Sequence, residues 1–260
     1  MNSSLHKDIH SAATQLRLPT IAKQAVATFE RAGHLDALET LLDTLKMECD
    51  ARKGRRIERL RLASKLPEGK TFSTLKKKLL PPAVVQSLAE LSSGDFVRET
   101  VNVLAFGLPG VGKTHAVAAL GHALIDAGIS VYFTPTFRLV QELLEAKRDF
   151  ALPRALRRLE RFEVLILDDL GYVQQAQDEM EVLFTLLAER YERASTVITS
   201  NLVFSQWEQI FKNPLTTAAA VDRVVHHSAI LEFNNRSYRS EEAERRAAEA
   251  ERRPKSNEKS

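Results

Sequence analysis

The chain has 260 residues, of which 44% are apolar and 27% charged, as in an ordinary globular protein. It contains no run of about 18 apolar residues, which excludes a membrane-spanning helix, and its start lacks the apolar stretch of an export signal. Because Cys49 is the single cysteine, an internal disulfide is excluded, and we expect a cytoplasmic protein.

Basic residues are concentrated near the start of the chain, although the net charge is only +3. Within residues 52–61 a single acid, Glu58, stands among many arginines and lysines. Such a cluster can neutralise phosphates of a nucleic-acid backbone, but a solvated helix face carries the same charges. The candidate DNA contacts in this stretch are Arg52, Lys53, Arg55, Arg56 and Arg59.

Residues 4 to about 65 are predicted to be helical, because leucines recur at three- and four-residue steps between Leu35 and Leu45. Pro19 and Gly33 divide this region into three helices. We predict an all-helical domain over residues 1–66 that binds DNA or a partner. Residues 67–95, with a Pro-, Gly-, Thr- and Lys-rich start, are predicted to be a linker.

From residue 96 onward, short β-rich runs alternate with longer helical ones. The runs are nearly continuously apolar, as expected of strands buried on both faces of a parallel sheet. They cover residues 101–106, 129–134, 163–168, 196–201 and 229–233. The alternation predicts an α/β domain over residues 96–240 with a five-stranded parallel sheet. The charged residues 241–260 are predicted to be a frayed helix or disordered.

A phosphate-binding loop follows the first predicted strand. Residues 107–114 read Gly-Leu-Pro-Gly-Val-Gly-Lys-Thr and match the pattern G-x-x-x-x-G-K-[ST] between a strand and a helix. We predict that Lys113 contacts the β- and γ-phosphates and that the Thr114 hydroxyl binds Mg²⁺. The predicted nucleotide contacts are Gly107, Leu108, Pro109, Gly110, Val111, Gly112, Lys113, Thr114 and His115.

Polar residues end the third and fourth predicted strands, where open α/β sheets bind ligands. Asp168 is predicted to hold Mg²⁺. Asp169 stands where many ATPases have a water-orienting glutamate, which predicts slow hydrolysis, but it could instead cap a helix. Asn201 can reach the γ-phosphate or form an Asx turn. No Asn-Lys-x-Asp motif occurs, which favours ATP over GTP.

These motifs resemble those of the IstB family, the ATP-binding helper proteins of bacterial insertion sequences, and more distantly those of the helicase loader DnaC. The resemblance extends from about Leu16 to Tyr238 and is carried by GLPGVGKTH, LILDDLGY, LAERYERASTVITSNLVFSQW and AAAVDRVVHHSAILEF. It implies an AAA+ domain of the initiator clade that oligomerises on DNA, remodels it and assists a transposase.

The resemblance also implies roles for single residues. Arg223 would be an arginine finger that reaches the ATP of a neighbouring subunit, and Arg236 or Arg239 would be a sensor-2 residue. In this clade an extra helix after the second strand contacts DNA. The matching stretch here, PTFRLVQELLEAKRDF, carries Arg138, Lys147 and Arg148.

Three functions are compatible with these features. A transposition helper is favoured, a replicative helicase loader would use the same ATPase, and a metabolic kinase is disfavoured because no substrate lid follows the loop. The expected partners are double-stranded DNA without strong sequence preference, further copies of the chain in a ring or helical filament, and a transposase. No membrane partner is expected.

Overall fold

Three helices form the start of the chain, at the positions that the leucine spacing and its breaks predict. The computed structural model describes residues 2–172, 177–202, 224–225 and 227–235, and divides into two units, Met1–Arg59 and Leu60–Ser260. The helices are α1 (Asn2–Gln15), α2 (Pro19–Arg31) and α3 (Ala37–Ser64), the last of which continues into the second unit. The prediction of a helical amino-terminal region is therefore confirmed.

The buried core of the first unit consists of apolar side chains from α1, from Leu16 directly after it, and from α3. Buried members are Ile9, Ala12, Ala13, Leu16, Leu38, Leu42 and Leu45. Leu35, which the leucine spacing placed on the same face, precedes the first turn of α3 and is 48% exposed. The buried stripe therefore starts at Leu38.

The second unit contains a five-stranded parallel sheet, as predicted. Its strands are β1 (Asn102–Gly107), β2 (Val131–Pro135), β3 (Val164–Asp168), β4 (Ser195–Ser200) and β5 (Ser228–Phe233). Their order in the sheet is β2-β3-β4-β1-β5. The register aligns Val103 with Val197 on β4 and Leu104 with Ile230 on β5. β1 thus lies between β4 and β5, and the carboxyl ends of β1, β3 and β4 meet at one edge.

Helices connect these strands and cover the sheet. They are α4 (Pro82–Leu91), α5 (Asp95–Arg98), α6 (Lys113–Asp126), α7 (Thr136–Arg148), α8 (Leu152–Leu159) and α9 (Gln177–Arg190), with 3-10 turns at Lys77–Leu79 and Leu170–Tyr172. α6 connects β1 to β2, α7 and α8 connect β2 to β3, and α9 lies between β3 and β4. Residues 67–95, which were predicted to be a linker, belong to the second unit and include α4. Val84, Leu88 and Leu91 of this helix are buried. Among the described residues, no helix is long and apolar enough to cross a membrane.

Arg190, the last residue of α9, is a buried cation that joins several elements of the second unit. It is 3% exposed, and burial lowers its pKa to about 10, so it stays protonated at neutral pH. Its guanidinium donates to five acceptors at 2.8–3.3 Å, namely the carbonyls of Leu159, Phe162, Glu163 and Ser195 and the hydroxyl of Thr196. These bonds connect the end of α9 to the end of α8, to the residues just before β3 and to the start of β4.

We predict that Arg190→Ala lowers the free energy of unfolding by roughly 3 kcal/mol or more, because buried carbonyls are left without their donors. Urea denaturation measures this quantity. The control Arg193→Ala removes an arginine that is 70% exposed and paired with Glu189, and should change stability little. Equal, small decreases in both variants would contradict the structural role of Arg190.

Candidate functional site

The loop between β1 and α6 holds three glycines whose φ angles are positive. These are 153° for Gly107, 84° for Gly110 and 103° for Gly112. At Gly107 the backbone of β5 also approaches closely: an added Cβ would collide with the Phe233 carbonyl oxygen and lie 2.8 Å from the Phe233 Cβ. The loop thus requires glycine for both conformation and space, as the sequence motif predicts.

Lys113 lies in this loop, at the amino terminus of α6. The residue is only 5% exposed. Its Nζ donates to the carbonyls of Gly107 at 2.6 Å and Leu108 at 3.0 Å. The ammonium group is therefore held across the loop, beside the positive end of a helix whose first N–H groups have no partner within the helix. This arrangement is suited to binding an anion such as phosphate.

The other side of the loop is anchored to the residues that follow β5. Asn235 Nδ2 donates to the carbonyl of Val111 at 3.2 Å, and Val111 is fully buried. Leu108 and Pro109 remain exposed at the tip of the loop. No local sequence pattern indicates Asn235, because its role depends on a partner more than 120 residues away.

Asp168 ends β3 next to this loop, and its carboxylate is almost fully buried, with the residue 7% exposed. Oδ1 accepts hydrogen bonds from Thr114 Oγ1 at 2.9 Å and from Thr199 Oγ1 at 2.7 Å. Burial raises the pKa of Asp168, and the charge of Asp169 adds to this, while the two threonine hydrogen bonds and the charge of Lys70 oppose it.

The oxygens of Asp168 and Thr114 fit the ligand preference of Mg²⁺. This ion takes hard oxygen ligands and is commonly bound by one or two carboxylates together with substrate phosphates. No cluster of three or more His, Cys, Asp or Glu side chains capable of holding a metal occurs within the described ranges.

Asp169 adopts a left-handed backbone conformation, with φ 58°. Its backbone N–H donates to Thr199 Oγ1 at 2.8 Å, and the same hydroxyl donates to Asp168. Thr199 therefore connects both acids to β4. Aspartate tolerates this conformation better than most residues, but it still carries a conformational cost.

Asn201 directly follows β4, and its side chain packs against Gly171. A Cβ added to Gly171 would collide with the Asn201 side-chain amide, so glycine makes room for it. Asn201 Oδ1 is buried and has no hydrogen-bond partner in the part of the chain that the structure describes. A buried acceptor of this kind is suited to binding a polar ligand atom or water.

His115 contacts the segment that precedes α4. Its Nε2 lies 3.1 Å from Thr74 Oγ1 and 3.2 Å from the Thr71 carbonyl. Because a carbonyl can only accept, Nε2 carries the proton in the contact with Thr71. The side chain of His115 is thus directed to the chain itself, which leaves its backbone N–H as the group for a phosphate.

The predicted DNA contacts of α3 differ in their surroundings. Arg52 donates to Glu48 at 2.7 Å and to the Leu16 carbonyl at 2.8 Å, and Arg55 shares Glu48 at 3.0 Å. Arg56 has a further interaction within the chain. Lys53 and Arg59 make no side-chain contact of this kind with described residues and are exposed.

The predicted DNA contacts of α7 also differ. Lys147 forms ion pairs with Asp178 at 3.2 Å and Glu181 at 2.8 Å, and its hydrogen bond to Glu181 is the main cause of a raised pKa. Arg138 and Arg148 are exposed and unpaired among the described residues. The charge of Lys147 is already neutralised, so Arg138 and Arg148 are the stronger candidates.

An additional basic surface, which the sequence analysis missed, lies between α7 and α8. It borders a groove of about 820 Å³ whose charged side chains comprise five bases and three acids: Lys65, Arg154, Arg157, Arg158, Arg161, Glu142, Glu145 and Asp149. Only Arg158 forms an ion pair there among the described residues, with Glu142 at 2.9 Å. Phe150, between the two helices, is 96% exposed with φ 56°.

Some predicted residues lie outside the described ranges. These are the arginine-finger candidate Arg223, the sensor-2 candidates Arg236 and Arg239, and the tail over residues 241–260. Their roles stay predictions.

Known proteins are similar to this chain over most of its length. The family model described as IstB-like ATP binding protein matches residues 11–247. An insertion sequence ATP-binding protein of Sinorhizobium fredii is 42% identical over 88% of this chain and 78% of its own length. The insertion sequence IS21 ATP-binding protein of Pseudomonas aeruginosa is 35% identical, with coverages of 88% and 87%.

Solved structures share the fold of about two thirds of this chain at low identity. DnaI is 21% identical, with a TM-score of 0.55 over 66% of this chain and 96% of that one. DnaA from Aquifex aeolicus, solved with AMPPCP, is 14% identical, with the same TM-score over 72% of this chain and 57% of that one. The fold implied by the sequence resemblance is thereby confirmed.

We predict that Asp168→Asn stabilises the fold while it abolishes Mg²⁺-dependent ATP hydrolysis. A raised pKa means that the folded protein holds the proton more tightly than the unfolded chain does. The protonated carboxyl group therefore stabilises the fold at low pH, and this contribution is lost as the pH rises through the pKa of the folded protein. Once ionised, the buried carboxylate lowers the free energy of unfolding. Thermal unfolding without nucleotide should therefore show a higher Tm for the variant at neutral pH.

The gain in Tm should shrink as the pH falls through the raised pKa of Asp168, because the carboxyl group of the parent is then protonated as well. Asp149→Asn, at an exposed aspartate, is the control and should show no such pH-dependent gain. A variant less stable than the parent at neutral pH would contradict the assigned cost of this buried charge.

Proposed function

This chain belongs to the family of IstB-like ATP binding proteins, and we propose on that premise that it is an ATP-driven helper of transposition. In this proposal it oligomerises on target DNA in the cytoplasm, remodels the DNA, and recruits and stimulates a transposase. The observation that carries the proposal is its similarity, over most of its length, to ATP-binding proteins of insertion sequences. Those relatives also favour transposition over helicase loading.

In the proposed site the phosphates of ATP lie against the glycine loop and the amino terminus of α6. Lys113 exchanges its hydrogen bonds to Gly107 and Leu108 for bonds to the β- and γ-phosphates. Thr114 and Asp168 would hold Mg²⁺, which neutralises charge on the phosphates when it is bound.

The attacking water is proposed to be oriented by Asp169 and by the buried oxygen of Asn201. Thr199 fixes the position of Asp169 relative to Asp168, since its hydroxyl contacts both. An aspartate is one methylene shorter than the glutamate that many ATPases have here. We therefore expect slow hydrolysis that assembly on DNA accelerates.

DNA binding is proposed to use exposed cations of two regions. One is the basic stretch of α3, where the exposed side chains of Lys53 and Arg59 form no hydrogen bond or ion pair with described residues. The other is the α7–α8 surface, where Arg154 and Arg157 are exposed beside the groove. Phe150 adds an apolar side chain of the kind that some DNA-binding proteins insert between bases.

We predict that the double variant Arg154→Ala/Arg157→Ala binds duplex DNA more weakly, and equally so on unrelated sequences. Removing one arginine–phosphate contact should reduce the slope of log affinity against log salt by about one, so the double variant should change it by about two. Fluorescence anisotropy with ATP and varied salt measures both the affinity and the slope.

A matched control is the double variant Arg98→Ala/Arg193→Ala, which removes the same charge from two exposed, paired arginines. A separate Arg55→Ala/Arg56→Ala/Arg59→Ala variant tests the α3 stretch. If the α8 variant keeps the parent's salt slope, the α7–α8 surface does not contact DNA.

Assembly is proposed to bring Arg223 of one subunit to the ATP of the next. Contacts of this head-to-tail type close into a ring or continue as a helical filament. Arg223→Ala should still bind ATP but hydrolyse it poorly, since arginine fingers contribute about 10³–10⁵ in rate where measured.

Mixing Arg223→Ala with Lys113→Ala should restore part of the ATPase rate. The first variant has an intact pocket and the second an intact arginine, so some interfaces in a mixed assembly combine both. Steady-state ATPase assays report the rate, and light scattering confirms co-assembly. A mixture that co-assembles yet stays as inactive as both parents would exclude an arginine acting between subunits.

A further inference from the structure

The segment Leu66–Leu75 runs along α6 toward the glycine loop. Its start contacts the middle of the helix: Leu66 packs on Gly121, where an added Cβ would lie 2.9 Å from Leu66 Cδ2, and the Pro67 carbonyl lies 3.1 Å from His122 Nε2. Its end contacts the first turn of α6, through the Thr71 and Thr74 contacts with His115. The chain direction is thus opposite to that of α6, and Thr71 and Thr74 lie next to the first turn of this helix.

Local hydrogen bonds hold the end of this segment in shape. The Lys70 N–H donates to the Pro67 carbonyl at 3.1 Å, and the Leu75 N–H donates to the Thr71 carbonyl at 3.0 Å. Thr74 Oγ1 donates to the Gly69 carbonyl at 2.8 Å. Lys70 therefore lies on an ordered turn whose position is fixed by contacts with the phosphate-binding helix.

The side chain of Lys70 has no hydrogen bond or ion pair with any described residue, although the residue is half-buried. A partly buried cation normally gains a partner, because desolvation without one is unfavourable. Lys70 directly precedes Thr71, whose carbonyl contacts His115, and His115 follows Thr114 in the first turn of α6. The positive charge is therefore beside the site, where an anionic ligand would complete its surroundings.

We propose that Lys70 is a second lysine of the nucleotide site and binds a phosphate oxygen of ATP. Lys113 and Lys70 would then approach the phosphates from the loop and from the Leu66–Leu75 segment, respectively. Lys70 is a binding residue in this assignment and takes no part in proton transfer. The inference rests on the nucleotide-binding part of the proposed function and is independent of DNA and the transposase.

The test compares Lys70→Met, which keeps most of the aliphatic chain without its charge, with Lys70→Arg, which restores a cation. Lys78→Ala is the control, because Lys78 is an exposed lysine just beyond the same segment, without a described partner. Calorimetric titration of the full chain with Mg-ATP and with adenosine measures both affinities. Thermal unfolding without nucleotide reports the stability of each variant.

We expect Lys70→Met to bind Mg-ATP at least about tenfold more weakly, as for removal of one hydrogen bond to a charged group. Adenosine binding should be unchanged, Lys70→Arg should recover part of the ATP affinity, and Lys78→Ala should match the parent. Parental ATP affinity in Lys70→Met would overturn the proposal. So would an equal decrease for ATP and adenosine, or a decrease explained by a lower Tm without nucleotide.

Lys113→Ala distinguishes this failure from a failure of the site itself. If Lys113→Ala binds Mg-ATP like the parent, the glycine loop is not the phosphate site, and the assignment of Lys70 falls with it. If Lys113→Ala abolishes ATP binding while Lys70→Met does not weaken it, the site stands and only the role of Lys70 is rejected.

Discussion

The buried carboxylate of Asp168 is the constraint on which the arrangement of the site depends. A charge in this position is unfavourable unless hydrogen bonds and cations compensate for it. Thr114 from α6 and Thr199 from β4 donate to the same oxygen, and Thr136 at the start of α7 donates to the backbone carbonyl of Asp168 at 2.9 Å. One acid therefore fixes the relative positions of three elements, at the sheet edge where ligands of α/β proteins bind.

Much of this arrangement could be predicted from the sequence, because it follows from local patterns. The five apolar runs correspond to the five strands, and Pro19 and Gly33 separate the three amino-terminal helices. The glycine loop could be located because its residues are consecutive and its conformation needs glycine. The leucine spacing also placed Leu35 on the buried face, but this residue lies before the first turn of α3 and is exposed.

Residues whose roles depend on distant partners could not be predicted. Thr199 was part of a strand motif, and only the alignment of β3 with β4 gives its hydroxyl two acidic neighbours. Asn235 and Gly171 likewise act through contacts with Val111 and Asn201. The segment at residues 67–75 has the Pro- and Gly-rich composition of a linker, whereas its packing on α6 depends on two histidines of that helix.

The helix α7 gives the proposed DNA surface a direct physical connection to the nucleotide site. The first residue of α7, Thr136, is fully buried and donates a hydrogen bond to the backbone carbonyl of Asp168. Later turns of the helix contribute Glu142 and Glu145 to the groove between α7 and α8. A helix of 13 residues spans about 20 Å and moves largely as a rigid body. A displacement of its groove end by bound DNA would therefore act on the backbone of Asp168. If ATP binding displaced Asp168, the same connection would transmit that change to the groove, since coupling between two binding sites is reciprocal.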